Sequence, residues 1–305
     1  MVHIFVINSK IAPENFSSEL RHKLSKYTDL EYHVFNTSGA GMEEDIVRRM
    51  IRYFEGQTIR FYCCGGSGTL RNMLQGALGN NQVEFAFCPL GGTNDFLKVF
   101  GDQIEMFKDI DKLIRGQRIK VDYISTNYGC ALNTVSFGLD THLVDTLERV
   151  QDYNIFGRTV PFFMAYTHAI LGVKSKPIIF SIDSHVSQHN TSEFIIGNGN
   201  TLGGQLHYTD EANIFDGELD FLAAVDKGIV PMVSLLSHMM KNEILEIRNK
   251  TFNGKCSSVR VKSVDGSEMA FNLDGEIVRG GNDWQIDVVN KGLNLIIPRE
   301  VTIDN

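Results

Sequence analysis

Short apolar runs alternate with amphipathic segments over the first part of the chain, up to about Asp122. Apolar residues at helical spacing, such as Phe16, Leu20 and Leu24, are typical of a helix with one buried face. Successive strand–helix–strand units imply crossover connections and a parallel sheet. The predicted strands are 2–7, 30–35, 59–64 and 83–90, and the predicted helices are 13–27, 43–54 and 70–78.

From about Lys120 the pattern changes to short runs in which apolar and polar residues alternate, such as "CALNTVSF" and "EMAFNLDG". Turns rich in Gly, Asn and Asp separate these runs, which is typical of a mainly antiparallel β-sandwich. We therefore predict an α/β domain at 1–122 and a β-sandwich domain at 123–294. The C-terminal tail, about 295–305, is expected to pack back on the first domain.

Composition narrows the class of protein. The chain has 305 residues, of which 43% are hydrophobic, and a net charge of -8, which allows a large core and argues against a nucleic-acid partner. Its five cysteines show no metal-like spacing, which fits a reduced cytoplasmic interior. The N-terminus lacks the features of a signal peptide, and the apolar stretch 160–173 is too short for a transmembrane segment.

Two glycine-rich loops follow neighbouring predicted strands. "GGSGT" (65–69) comes after the strand 59–64, and "GGTNDF" (91–96) comes after the strand 83–90. A glycine turn between a strand and a helix often serves only the backbone geometry, but it is also the usual way to build a phosphate cradle from backbone amides. Two such loops at the carboxyl ends of parallel strands favour a nucleotide site. Neither loop is a Walker A motif, because no Gly-Lys-Ser/Thr follows.

Several aspartates lie beside glycines or at the ends of predicted strands. They are Asp122, Asp140, Asp216 and Asp274, and Glu276 follows closely after the last of them. Acids beside a phosphate cradle can hold magnesium and accept a hydroxyl proton, as phosphoryl transfer requires. An Asp-Gly pair is equally well a hairpin turn with a solvent-facing acid. From the residues alone, both interpretations stay open.

Six motifs follow one another along the chain: "GGSGT", "PLGGTNDF", "KVD", "SFGLD", "FDGELD" and "NLDGE". In this order they resemble the diacylglycerol kinase catalytic family, which includes bacterial soluble lipid kinases and, more distantly, sphingosine and ceramide kinases. The resemblance implies an α/β N-terminal domain with a parallel sheet, as in NAD kinase and phosphofructokinase, and a mainly antiparallel C-terminal β-sandwich. It also implies transfer of the γ-phosphate of ATP, with Mg²⁺, to a lipid hydroxyl such as that of diacylglycerol. The implied partners are a lipid at the membrane surface and a second copy of the chain in a homodimer.

The same resemblance assigns residues to roles. It implies a general base and magnesium network at Asp274 and Glu276, helped by Asp122. It implies a structural magnesium loop at Asp216, with the nearby backbone carbonyls of Asn213 and Glu218. The residues that it places around the nucleotide are Asn8, Ser9, Thr37, Gly65, Gly66, Ser67, Gly68, Thr69, Gly91, Gly92, Thr93, Asn94 and Asp95.

The chain departs from the family pattern at several of these positions. Ser67 stands where the family has aspartate, and this loses charge-assisted hydrogen bonds that are worth about 1.5–3 kcal/mol each. Slower catalysis is therefore one expectation, and a non-catalytic nucleotide- or lipid-binding relative is an alternative. An NAD kinase is another alternative, because NAD kinases share a Gly-Gly-Asp-Gly-Thr loop. The remaining departures are Ser9, Arg71, Asn72, Gly92, Asp210 and Glu211.

Overall fold

The structure is a computed structural model that describes residues 1–39, 41–80, 82–92, 94–139, 141, 175–183, 185–225 and 228–303. Thr93, Asp140 and the apolar stretch 160–173 lie outside the described residues. The backbone contacts divide the chain into two units, one of Met1–Asp122 with Lys291–Asn305 and one of Tyr123–Asn290. None of the helices in the described ranges combines the length and the apolar character needed to cross a bilayer.

The first unit is built on a parallel sheet in the order β2-β1-β3-β4. The side chains of the three inner strands are almost all buried on both faces, which explains why they appear in the sequence as unbroken apolar runs. The edge strand β2 is only partly buried. The strands are β1 (Val2–Asn8), β2 (Tyr32–Thr37), β3 (Ile59–Gly65) and β4 (Val83–Pro89).

Helices connect these strands and cover the sheet. Helix α1 buries Leu20 and Leu24, whereas α2 has three acids in its first turn, where the helix dipole favours them, and buries Ile46 and Val47. The helical elements of this unit are α1 (Phe16–Leu24), α2 (Met42–Tyr53), α3 (Ser67–Ala77), a 3-10 segment (Asp95–Lys108) and α4 (Ile110–Ile114).

The second unit is mostly antiparallel. The long strand β9 pairs with β7, β8 and β12, and a core forms around the fully buried ring of Trp284, which lies against Phe271. The helices of this unit within the described residues include α5 (Ile229–Met240) and α6 (Ile244–Lys250). The remaining strands are β5 (Gln117–Thr126), β6 (Gly129–Ala131), β7 (Thr134–Gly138), β8 (Lys176–Ile182), β9 (His185–Gly197), β10 (Thr201–Leu202), β11 (Leu206–His207), β12 (Leu219–Val225), β13 (Phe252–Cys256), β14 (Ser258–Ser263), β15 (Met269–Leu273), β16 (Glu276–Gly280) and β17 (Asp283–Ile297).

Strand β17 takes part in both units along its length. Its first half pairs antiparallel with β14, as at Ile286 opposite Val259, and its end pairs parallel with β4, as at Leu295 opposite Phe85. The predicted fold class, an α/β unit with a parallel sheet followed by a mostly antiparallel β unit, is confirmed.

Candidate active site

The first glycine loop is shorter than its sequence suggests. Strand β3 ends at Gly65, Gly66 is the N-cap in extended backbone, and helix α3 already begins at Ser67. The amides of the first helical turn have no partner within a helix, and the helix dipole makes this end positive. Residues 67–69 therefore present backbone amides at a helix N-terminus, which is the arrangement that binds phosphate.

The second glycine loop lies directly against the first. The amide of Leu90 donates to the carbonyl oxygen of Gly65 at 2.8 Å. A Cβ atom on Gly91 would lie only 3.1 Å from the Cα of Gly66, so a side chain there would force the neighbouring backbone to shift by a few tenths of an ångström. Glycine at 91 avoids this crowding.

Asn8 ties the end of the first strand to the same place. Its side-chain amide donates to Thr69 Oγ1 at 2.9 Å, and its Oδ1 accepts the amide of Lys10 at 3.1 Å. A Cβ atom on Gly65 would come within 2.7 Å of the Thr69 side chain, so Thr69 packs over bare backbone. The ends of β1, β3 and β4 thus meet around one helix N-terminus, and seven of the proposed nucleotide residues lie there together: Asn8, Gly65, Gly66, Ser67, Gly68, Thr69 and Gly91.

Asn94 closes the second loop. It has a left-handed backbone with φ of 44°, which asparagine tolerates better than most residues, and its Nδ2 donates to the carbonyl oxygen of Gly91 at 2.7 Å. Its Oδ1 is buried without a hydrogen-bond partner in the described part of the chain, as is Ser67 Oγ. Asp95 lies 3.4 Å from the ammonium of Lys98. Buried polar atoms that lack a protein partner fit a site that a polar ligand completes.

Thr37 and Ser9 are placed differently from the loop residues. The Thr37 hydroxyl is buried and donates to Glu43 Oε1 at 2.6 Å, so it is used inside the unit. Ser9 is exposed and binds the carbonyl oxygen of Thr37 through its backbone amide at 2.8 Å. Gly92 is exposed, and Thr93 lies outside the described residues. The side chain of Thr37 is therefore buried and engaged within the first unit.

Asp122 is fully buried at the end of the first unit. Its Oδ1 accepts the backbone amide of Lys291 at 2.6 Å, so it holds the returning C-terminal segment. A buried carboxylate needs hydrogen-bond donors, and the backbone amide of Lys291 is one of them.

Asp274 and Gly275 form the two-residue hairpin turn between β15 and β16, and Glu276 follows it. Asp274 and Gly275 have φ of 51° and 95°, which is the left-handed pair of a type I′ turn. The carboxylate of Asp274 does not point freely into solvent. It accepts hydrogen bonds from three consecutive backbone amides, those of residues 132, 133 and 134, at 2.6, 3.0 and 2.9 Å. Glu276 is exposed at the start of β16.

Asp216 forms a turn in which its Oδ1 accepts the amide of Glu218 at 3.0 Å. The ammonium of Lys255 lies 2.8 Å from Asp216 Oδ2 and 3.8 Å from Glu218 Oε2. Asn213 uses its side-chain oxygen to accept the amide of Phe215. Among the described residues, no group of three His, Cys, Asp or Glu side chains is arranged to hold a metal ion. Both carboxylate oxygens of Asp216 are therefore engaged by protein donors.

A polar cavity of about 200 Å³ lies beside this turn, and no motif in the sequence indicated it. Its lining includes Thr209, Asp220, Arg248 and Lys255. Burial raises the pKa of Asp220 even though Lys255 and the Thr209 hydroxyl oppose the shift. Residues 209, 220, 248 and 255 come from a loop, two strands and a helix, so only the folded chain brings them together.

Comparison with known proteins agrees with this geometry. Residues 3–126 match the family model of the diacylglycerol kinase catalytic domain, so the resemblance indicated by the motifs is confirmed. The chain is 22% identical to "Diacylglycerol kinase" of Staphylococcus carnosus over 219 residues, which cover 70% of this chain and 68% of that protein. It is 27% identical to "Probable lipid kinase YegS-like" of Pseudomonas savastanoi pv. phaseolicola over 77% of this chain and 75% of that protein. A crystal structure of a diacylglycerol kinase from Bacillus anthracis shares the fold, with a TM-score of 0.68 and 18% identity, over 99% of this chain and 98% of that chain.

Proposed function

We propose that the protein is an ATP-dependent lipid kinase, which transfers the γ-phosphoryl group of ATP to the hydroxyl of a lipid such as diacylglycerol. The observation that carries this proposal is the contact of two glycine loops at the N-terminus of α3, in a segment that matches the diacylglycerol kinase catalytic domain. We propose that the reaction takes place at the surface of a membrane, where a lipid hydroxyl is accessible.

In this proposal the first unit binds the nucleotide. The amides of 67–69 neutralise phosphate charge without any side chain, and Asn8 fixes the position of Thr69 beside them. Asn94 offers a buried side-chain oxygen to a donor on the nucleotide. Mg²⁺ that arrives with ATP supplies charge neutralisation at the phosphates.

Asp274 is the proposed base. It would accept the proton of the lipid hydroxyl while that oxygen bonds to the γ-phosphorus and the bond from phosphorus to the bridging oxygen breaks, leaving ADP. Three consecutive backbone amides donate hydrogen bonds to its carboxylate. These amides hold the carboxylate in one orientation, and a fixed orientation favours proton transfer to a general base.

The test is phosphate transfer from labelled ATP with Mg²⁺ to diacylglycerol, phosphatidylglycerol or a sphingoid base in mixed micelles, and to NAD in parallel. We expect lipid-dependent transfer by the wild-type chain and its loss in Asn94→Ala purified in the same way. Transfer to NAD alone would identify an NAD kinase, and ATP binding without turnover would identify a non-catalytic relative. Activity that is equal in Asn94→Ala would belong to a contaminant. Light scattering of the same preparation tests the expected homodimer.

A further inference from the structure

Five acidic residues lie close together in sequence at the turn of Asp216. Asp216, Glu218 and Asp220 follow one another at every second position, where the chain enters strand β12. Asp210 and Glu211 stand a few residues before them. Carboxylates that are this close in sequence repel one another, and a cation between them reduces the repulsion. Positive charge at this position therefore stabilises the turn.

Lys255 supplies that charge from the neighbouring strand. It lies on β13 directly opposite Asp220 in the antiparallel register, and its ammonium is 2.8 Å from Asp216 and 3.8 Å from Glu218. An ammonium group has three donors, so one lysine can serve several carboxylates. Burial opposes the charged form of Lys255, but the hydrogen bond to Asp216 and the nearby carboxylates outweigh it and raise the pKa. The group is therefore a permanent cation at neutral pH.

Arg248 compensates the other two acids. Its guanidinium lies 2.9 Å from Glu211 and 3.5 Å from Asp210. Each of the five acids thus has a basic side chain of the same unit nearby, and the ammonium of Lys255 already occupies the position beside Asp216 Oδ2. Magnesium also requires close, near-octahedral oxygen ligands, whereas Asp216 Oδ1 already accepts the amide of Glu218.

We propose that the ammonium of Lys255 occupies the place of a divalent cation at the turn of Asp216, so that the second unit holds this turn without magnesium. The family resemblance implies a structural magnesium here, and this chain replaces it with one of its own side chains. The inference concerns the stability of the second unit. It is independent of the proposed kinase reaction, in which the metal accompanies the nucleotide.

Thermal unfolding of the full chain in EDTA and in excess MgCl₂ tests the proposal. For Lys255→Met we expect a melting temperature a few degrees lower in EDTA, and partial recovery in MgCl₂ because the three acids are then open to a cation. The exposed Lys262→Met is the matched control and should show neither effect. An unchanged melting temperature in Lys255→Met, or a loss that MgCl₂ does not restore, would overturn the proposal.

A second measurement does not depend on that variant folding. Native mass spectrometry after dialysis against magnesium compares the wild-type chain with Asp216→Asn. We expect the two to retain the same amount of magnesium, because the wild-type turn binds none. Magnesium that the wild type retains and Asp216→Asn loses would show a true metal site and would refute the role of Lys255.

Discussion

The side-chain amide of Asn8 donates a hydrogen bond to the hydroxyl of Thr69 at 2.9 Å, across 61 positions of the chain. This bond joins the end of the first strand to the first turn of α3. Because Asn8 is itself held by the amide of Lys10, the pair has one defined geometry. The helix N-terminus that presents its amides is thus oriented by a residue from another strand.

We expect Asn8→Ala to weaken ATP binding by about 3- to 10-fold, because one hydrogen bond of about 0.5–1.5 kcal/mol is lost and Thr69 becomes free to rotate. Isothermal titration with ATP measures the effect. Asn36→Ala is the matched control, since Asn36 is also an asparagine near a strand end, and its side chain makes one long hydrogen bond within the described residues, 3.4 Å to Ser17. Equal affinities in the two variants would remove Asn8 from the nucleotide site.

We expect Gly91→Ala to separate the two glycine loops. The new Cβ would lie 3.1 Å from backbone at Gly66, and overpacking of this kind costs about 1–3 kcal/mol. The melting temperature should fall by several degrees and ATP binding should weaken strongly. Gly228→Ala is the control, because a Cβ there meets open space. Wild-type ATP affinity in Gly91→Ala would show that the close contact of the loops is not needed.

The sequence predicted the parallel strands and the meeting of the glycine loops, because strand ends in a parallel sheet share one edge. The predicted helix begins at Leu70, three residues after the observed start of α3 at Ser67, because the preceding glycine and serine do not follow the apolar spacing of a helix. The sequence placed Asp274 in an Asp-Gly turn but could not predict that its carboxylate binds amides about 140 residues away. Likewise, nothing near Asp216 indicated Lys255. Local patterns predict elements, whereas pairings between distant side chains depend on the folded register.

Asp274→Asn is expected to lose both stability and turnover. An amide side chain replaces one acceptor oxygen by a donor, which would then face a backbone amide that is also a donor. The melting temperature should fall, and lipid phosphorylation should be abolished at temperatures where the variant is still folded, with ATP affinity nearly unchanged. Glu276→Gln, in the same hairpin but exposed, should keep the wild-type melting temperature. Turnover within a few-fold of wild type in Asp274→Asn would exclude this residue as the base.

His3 should make the stability of the chain depend on pH. Burial lowers the pKa of His3 to about 4, with help from Arg60 and the N-terminal ammonium, and its ring lies in hydrogen-bond contact with Tyr62 at 2.8 Å. In the unfolded chain the group takes up a proton near pH 6.5. The unfolded state therefore binds more protons between these values, so stability is complete above pH 6.5 and is lost as the pH falls to about 4.

Urea unfolding at several pH values between 4 and 7 checks this contribution of His3. His3→Gln should show a smaller loss of unfolding free energy on acidification than the wild type. The exposed His22→Gln should follow the wild-type curve. If His3→Gln and the wild type lose stability in parallel, another group is responsible.

Ser67 is the position at which the chain departs most clearly from the family loop. It is the first residue of α3, and its buried hydroxyl has no partner in the described part of the chain. A carboxylate at a helix N-terminus is stabilised by the dipole, so aspartate fits this position. Because backbone amides bind the phosphates, Ser67→Asp should change ATP affinity little. It should raise the lipid-kinase rate by improving charge organisation in the transition state.

The effect of Ser67→Asp on the lipid-kinase rate depends on Arg71. Arg71 lies one helical turn after Ser67, is buried, and donates to Asn72 Oδ1 at 3.0 Å. A new carboxylate at 67 is at the spacing that pairs with residue 71, and such a pair would withdraw it from the reaction. We therefore compare Ser67→Asp with the double variant Ser67→Asp/Arg71→Asn, with Arg71→Asn alone as control. Lipid-dependent turnover above wild type in either Ser67→Asp variant supports a kinase weakened by serine. If neither exceeds wild type, serine does not limit the rate, and a different metal arrangement or a non-catalytic role becomes the better account.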